Sequence, residues 1–187
     1  MSAGRRFHSA YRETIYLTDQ RSLRIRLIHP ADKPKLAEAF YHLSAESRYC
    51  RFLSHKNALT SQELSFFTEC DGIDHLALGA FEPAPTGSQG DGALVGIARL
   101  IRCPERPTRA EFTLAVIDAC QGLGLGRLLL ERLRTAAVQL NIHHLEGQLL
   151  PDNYKVQRLL HRSSPAAVFR HDSGLVNVLL PAHAGAG

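Results

Sequence analysis

The sequence predicts a single α/β domain in which a mixed β-sheet is flanked by helices. Short β-rich runs alternate with amphipathic helical segments along the chain. The 187 residues suit one domain with a sizeable core, and no internal repeat of solenoid or propeller length is present. We expect the domain to cover 13–180, with a disordered segment at 1–12 and a flexible tail at 181–187.

The N-terminal half is predicted to form a hairpin followed by three helices. The expected strands lie at 14–17 and 23–28, and the helices begin near residues 30, 44 and 60. The first helix places Leu36, Phe40 and Leu43 on one side. The third begins with a capping-box pattern formed by Thr60 and Glu63.

The C-terminal half alternates strands and helices. A loop rich in proline, glycine and serine is expected at 82–92, and a turn through Pro104 and Pro107. The expected strands lie at 75–81, 93–101, 110–117 and 144–150, with a final pair within 166–180, and the helices at 124–141 and 153–162. This order is typical of a mixed α/β domain.

Composition and charge exclude several classes of partner. The formal charge of +4 suits a small polyanion as well as a nucleic acid. Basic residues are scattered among acidic ones and aromatic residues make up only 7%, so we expect no nucleic-acid partner. No apolar run approaches the roughly 20 residues that span a bilayer, so we expect no membrane partner.

The N-terminus and the cysteines predict a cytoplasmic protein. The first residues include two arginines but no continuous apolar segment, so no signal peptide is expected. The four cysteines form no CxxC pair, which argues against a zinc site and favours reduced thiols. The histidines show no HxxxH or HExxH spacing, so we expect no metal. The sequence leaves the oligomeric state open.

The most informative motif is a glycine-rich turn at 121–127, between an apolar strand and an amphipathic helix. Glycines at every second position let successive N–H groups converge at a helix N-terminus, where an anion is favoured. A Rossmann fingerprint would need glycine at position 127, which is arginine, and no Walker A pattern is present. What remains is Gln-x-x-Gly-x-Gly, with Gln121, Gly124 and Gly126.

This pattern resembles the acetyl-CoA signature of the GNAT superfamily of N-acetyltransferases, [Gln/Arg]-x-x-Gly-x-[Gly/Ala]. Its place after an N-terminal strand–helix–helix unit is also similar to that family. The resemblance implies the GNAT fold, acetyl-CoA as co-substrate and a pyrophosphate held by amides of the turn. It assigns to acetyl-CoA the residues Leu114, Ala115, Val116, Gln121, Gly122, Leu123, Gly124, Leu125, Gly126, Arg127 and Asn153.

Glu111 is the candidate catalytic residue. It lies in an apolar strand, where the alternative is an ordinary solvent-facing or salt-bridging carboxylate. A lysine amine with a pKa of about 10.4 is mostly protonated at neutral pH, and a nearby carboxylate can accept its proton directly or through water. A glutamate ten positions before the signature glutamine is similar to the base of GNAT protein lysine acetyltransferases.

Two segments bear on the acceptor and on the leaving group. Residues 43–52 resemble a stretch of bacterial protein lysine acetyltransferases, with Arg48 and Arg51 expected to be solvated. Leu160 stands where many GNAT enzymes have a tyrosine that protonates the leaving thiolate, and 163–165 replaces the family's usual Gly-Phe. A thiolate with a cysteine-like pKa of about 8.5 can leave without that acid.

The sequence therefore predicts an N-acetyltransferase that moves an acetyl group from acetyl-CoA to a primary amine, with a protein lysine favoured. A small amine is the alternative acceptor. A non-catalytic acyl-CoA-binding regulatory domain, or nucleotide binding without acyl chemistry, is the alternative class. Separation of the strands that hold Val116 and Leu145 would admit a pantetheine arm.

Overall fold

The computed structural model describes residues 6–87 and 89–183, and the predictions for residues 1–5, 88 and 184–187 lie outside this range. The strands are β1 (Arg12–Tyr16), β2 (Ser22–Leu27), β3 (His75–Pro83), β4 (Asp91–Cys103), β5 (Arg106–Val116), β6 (His144–Leu149), β7 (Val168–Asp172) and β8 (Leu175–Pro181). The helices are α1 (Lys33–Tyr41), α2 (Ala45–Phe52), α3 (Ser61–Thr68), α4 (Leu125–Gln139) and α5 (Tyr154–Ser163).

The eight strands form one mixed sheet in the order β1-β2-β3-β4-β5-β6-β8-β7, which confirms the predicted fold class. Every neighbouring pair is antiparallel except β5 and β6, which are parallel. A parallel pair needs a crossover connection, and α4 supplies it. Within the described residues, no helix combines the length and the apolar character needed to cross a bilayer.

Two hydrophobic clusters hold the helices on the sheet. The larger one contains the apolar stripe of α4, in which Leu125, Leu129 and Leu133 recur at helical spacing and are fully buried. The smaller one joins α1 and α3 to strands β3 and β4 and includes Leu36. Phe40 and Leu43 are buried as well, so the predicted apolar side of the first helix is confirmed.

The hairpins agree with the sequence patterns except at one turn. The predicted loop at 82–92 connects β3 to β4, and the Thr60–Glu63 capping box opens α3. The predicted turn through Pro104 and Pro107 is shorter than expected, because β5 already begins at Arg106 and includes Pro107. Proline near the end of a strand is compatible with strand geometry, since it removes only one donor there.

Residues 6–12, for which the sequence predicts disorder, pack against the domain in this structure. Phe7 is only 2% exposed and packs edge-on against Tyr11, with ring centroids 4.6 Å apart. The hydroxyl of Tyr11 donates to Glu13, which also accepts from Arg132 of α4 at 2.6 Å. Aromatic burial and this ion pair fasten the segment to α4, and neither contact is visible in the local sequence pattern.

Residues 181–183, which belong to the predicted flexible tail, likewise contact the domain in this structure. Pro181 is the last residue of β8 and lies opposite His144 of β6. Arg134 of α4 donates to the carbonyl oxygens of Pro181 and His183 at 3.1 and 2.7 Å. Ala182 is buried in the larger cluster, so the end of the described chain is part of the core.

Candidate active site

Strands β5 and β6 pair over three residues and then separate. The parallel ladder joins Arg109–Glu111 to His144–Glu146, and beyond Glu111 strand β5 pairs with β4 alone. The Ile117 amide donates to the Val95 carbonyl of β4. Successive residues of a strand direct their N–H and C=O groups to opposite sides, so those of Leu114, three positions earlier, face away from β4 and towards the gap. The strands that hold Val116 and Leu145 are therefore unpaired at Val116, as a pantetheine arm between them would require.

Strand β5 ends at Val116, a short 3-10 turn follows at Asp118–Cys120, and the glycine turn begins at Gln121. Gly122 and Gly124 have φ angles of 75° and 87°, a region that glycine adopts without strain. In the following helix, the Leu128 amide is the first to form an intrahelical hydrogen bond. It donates to the Gly124 carbonyl at 3.1 Å. The preceding amides at 125–127 are those of a helix N-terminus, which favours an anion.

The side chain of Gln121 does not point at solvent. Its Nε2 donates to the Val116 carbonyl at 3.1 Å, to Ser47 Oγ at 3.1 Å and to Asp118 Oδ1 at 3.2 Å. Ser47 in turn donates to the same Asp118 oxygen at 2.8 Å. The signature glutamine therefore fixes the turn to the end of β5 and to helix α2.

This contact explains the conspicuous serines of the 43–52 segment. Ser44 caps α2 by accepting from the Ser47 amide at 3.1 Å, and its own amide donates to Asp118 at 3.3 Å. Burial would raise the pKa of Asp118, but the hydrogen bonds from Ser44 and Ser47 outweigh burial and hold the pKa below its usual value. Asp118 is thus an ionised acceptor that joins α2 to the glycine turn.

Glu111 is the last residue of the β5–β6 ladder and lines an open cavity of about 780 Å³. The side chain is exposed and, within the described part of the chain, makes neither a hydrogen bond nor an ion pair. Its neighbour across the ladder, Glu146, lines the same cavity but forms ion pairs with Arg106 at 2.6 Å and with Arg109 at 3.5 Å. Of the two carboxylates, Glu111 is therefore the one free to accept a proton.

Arg51 is the cavity residue whose environment the sequence did not reveal. It was expected to be solvated, but its Nη2 donates to Thr113 Oγ1 at 3.1 Å and its guanidinium lies 4.9 Å from the centre of the Phe52 ring. Burial, with a smaller contribution from Arg99, lowers the pKa of Arg51 to about 10. The only available signal was its place in the 43–52 motif.

Arg48 also departs from the expected solvated position. Its Nε donates to the carbonyl oxygens of Phe40 and Leu43 at 3.2 and 3.0 Å, which satisfies carbonyl groups at the end of α1. Arg48 therefore joins α1 to α2, whereas Arg51 lines the cavity.

Helix α5 flanks the gap on the β6 side. Asn153 caps it, since its Oδ1 accepts from the Val156 amide at 3.3 Å. Leu159 lies near the glycine turn, 3.4 Å from the place where a Cβ on Gly126 would lie. Leu160 is fully buried and has no acidic group, and Tyr154 is 67% exposed.

The strand separation, the glycine turn and the free carboxylate together make up a candidate site for acyl transfer. Residues 38–163 match the model of the acetyltransferase (GNAT) family. The chain belongs to this family, and the predicted resemblance to GNAT enzymes is confirmed.

Solved structures share this fold. The GNAT domain of PAT from S. lividans is 23% identical with a TM-score of 0.82, and the match covers 94% of this chain and 99% of that domain. A cAMP-binding acyltransferase from Mycobacterium smegmatis is 23% identical with a TM-score of 0.63 over 92% of this chain, which spans only 47% of that protein. Salmonella typhimurium yncA, solved with its cofactor acetyl-CoA, is 20% identical with a TM-score of 0.65 over 88% and 96%.

Proposed function

We propose that this protein transfers the acetyl group of acetyl-CoA to a primary amine, with a protein lysine as the favoured acceptor and Glu111 as the general base. One observation carries the proposal. The strands separate directly after Glu111, and the same strand leads into the glycine turn. A carboxylate therefore precedes the stretch of β5 that does not pair with β6, and a helix N-terminus that favours an anion follows it.

The cofactor is proposed to occupy the gap from the turn to the ladder. Amides of 123–127 hold the pyrophosphate, and Gln121 keeps the turn in place through its three hydrogen bonds. The free edge of β5 at Leu114–Val116 pairs with the pantetheine amides in the manner of an added strand. Asn153 begins the helix that closes the other side of the gap.

The reaction is proposed to be a direct attack in a ternary complex. Glu111 accepts a proton from the acceptor ammonium, directly or through a water, and the amine nitrogen then attacks the thioester carbonyl carbon. Amides on the β5 edge stabilise the negative charge that develops on the carbonyl oxygen. The C–S bond breaks, the new amide nitrogen releases its second proton to solvent, and coenzyme A leaves as a thiolate that solvent protonates because Leu160 supplies no acid.

The family-like helix α2 supports a protein lysine as acceptor, and a small amine is the second candidate. The buried Leu160 supports a different class, an acyl-CoA-binding regulatory domain with little turnover. The four cysteines are free thiols, which supports a reducing, cytoplasmic location.

The test is incubation with labelled acetyl-CoA and a panel of proteins and small amines. We expect label on an amine and a fall in kcat of about 100- to 10,000-fold in Glu111→Gln, with acetyl-CoA affinity unchanged. Glu38→Gln is the matched control, because Glu38 is exposed on α1, away from the cavity. Acetyl-CoA binding without transfer to any amine supports the regulatory domain, and unchanged turnover in Glu111→Gln removes Glu111 as the base.

A further inference from the structure

The cavity beside Glu111 contains more positive than negative side chains. Its charged lining residues are Arg51, Arg106, Arg109, Arg170, Glu111 and Glu146. Four guanidinium groups against two carboxylates leave an excess of positive charge in a site that has to receive a substrate. A cavity lined mainly by positive charges raises the local concentration of negatively charged ligands.

The ion pairs show which of these arginines are available. Glu146 accepts from Arg106 and Arg109, so these three residues compensate one another in part. Among the described residues, Arg51 and Arg170 have no carboxylate partner. Arg51 lies deep, between α2 and β5, and Arg170 is exposed on β7 at the mouth of the cavity.

Arg51 has donors to spare. A guanidinium carries five N–H donors, and the described residues supply one acceptor, Thr113 Oγ1. Thr113 follows Glu111 by two positions on the same face of β5, a separation of about 7 Å along the strand. An unpaired guanidinium in a partly desolvated place favours an anion that can form charge-assisted hydrogen bonds.

We propose that the acceptor carries a carboxylate close to its reacting amine and that Arg51 binds this carboxylate. The proposal rests on the proposed function, since the amine is taken to lie at Glu111. Arg170 adds a second, solvent-exposed positive charge that attracts acidic groups to the mouth. The carboxylate belongs either to an acidic residue beside a target lysine or to a small amino acid acceptor.

Two pairs of acceptors separate these sources. One pair is 6-aminohexanoate and its amide, which differ only in the carboxylate. The other is a blocked pentapeptide whose central lysine is flanked by glutamates, and the same peptide with glutamines. We expect kcat/KM to favour the acid by about 10- to 100-fold in at least one pair, the range of a hydrogen bond to a charged group. A preference for neither acid overturns the proposal.

Variants assign the preference to Arg51. Arg51→Gln is expected to abolish the preference while transfer to the neutral acceptors persists, and Arg51→Lys is expected to restore part of it. Arg158→Gln, an exposed arginine of α5, is the control and should keep the preference. A folded Arg51→Gln protein that retains the full preference contradicts the assignment. If Arg51→Gln does not fold, Arg170→Gln is tested instead. It should weaken the preference for the acidic acceptor about 2- to 5-fold and leave transfer to the neutral acceptors unchanged.

A binding measurement distinguishes failure of this inference from failure of the proposed function. Calorimetric titration with hexanoate in the presence of coenzyme A requires no catalysis. Binding by the wild type that is lost in Arg51→Gln supports the carboxylate subsite even where no amine is acetylated. Equal binding, or none, by both proteins contradicts the subsite whatever the acetylation assay shows.

Discussion

The Gln121 side chain donates to the Ser47 hydroxyl across 3.1 Å, so the glycine turn is fastened to helix α2. Both groups also bond Asp118, which makes a closed set of hydrogen bonds between the turn and the helix. A networked set of this kind restricts the turn more than a single bond does. The N-terminal helices thus help to set the conformation of a turn that lies 74 residues further along the chain.

Ser47→Ala is expected to weaken acetyl-CoA binding by about 3- to 10-fold. The change removes two hydrogen bonds of roughly 1 kcal/mol each, while Gln121 keeps its bonds to Val116 and Asp118. Calorimetric titration with acetyl-CoA measures the effect. Ser61→Ala, at an exposed position at the start of α3, is the control and should bind like the wild type. Equal affinity in the Ser47 variant would show that the turn holds its shape unaided.

Gly124→Ala is expected to lower the free energy of unfolding by about 1–2 kcal/mol. The cost is in the backbone, because φ is 87° and the nearest atom to an added Cβ, Thr18 Cγ2, is 3.9 Å away. Gly126→Ala is the matched control. Its Cβ would meet Leu159 at 3.4 Å, and alanine favours the helix, so its stability should stay within about 0.5 kcal/mol of wild type. Urea unfolding of both variants tests the contrast.

Asp32→Asn is expected to lower the free energy of unfolding by about 3 kcal/mol at pH 7. It should also reduce the fall of that free energy as the pH decreases below neutral. Arg26, itself buried, holds the Asp32 carboxylate by two hydrogen bonds of 2.7 Å. Burial would raise the pKa of Asp32, but the bonds from Arg26 and the His29 amide keep the pKa below its usual value of 3.8. The stabilisation is therefore complete above that value and is lost as the pH falls through the lower folded pKa.

Urea unfolding between pH 7 and 3 measures this pH dependence. Asp152→Asn, at an exposed position, is the control and should follow the wild-type profile. An Asp32→Asn protein with the wild-type slope in acid would contradict the assignment to this carboxylate.

Phe7→Ala is expected to lower the free energy of unfolding by about 3 kcal/mol. Phe7 is among the fully enclosed side chains, so truncation removes buried area and leaves a cavity. Phe66→Ala is the control, since Phe66 is 52% exposed and should cost less than about 1 kcal/mol. Similar small losses in both variants would mean that the N-terminal segment adds little to the core.

Local patterns in the sequence predicted the elements and their order. The capping box of α3 is present, with Glu63 accepting from the Thr60 amide at 2.9 Å, and the apolar stripe of α4 is buried. These features depend on residues three or four apart, which a sequence shows directly. The fold class followed from their alternation.

Contacts between distant residues could not be predicted in this way. The Arg6 amide bonds Gln139, 133 positions away, and no local signal in 6–12 indicates that partner. The same holds for Arg51, whose burial depends on where α2 lies against β5. The residue types of the candidate site were therefore visible in the sequence, but the groups that orient and desolvate them were not.

The gap between β5 and β6 leaves an unpaired strand edge in the middle of a sheet rather than at its rim. An unpaired edge at a rim is a template for association with other proteins. Here β4 and β6 flank the exposed edge, so a second polypeptide sheet has no access to it. We therefore expect the ligand of this edge to be a slender chain with amides of its own, which needs only one free strand edge to form a ladder.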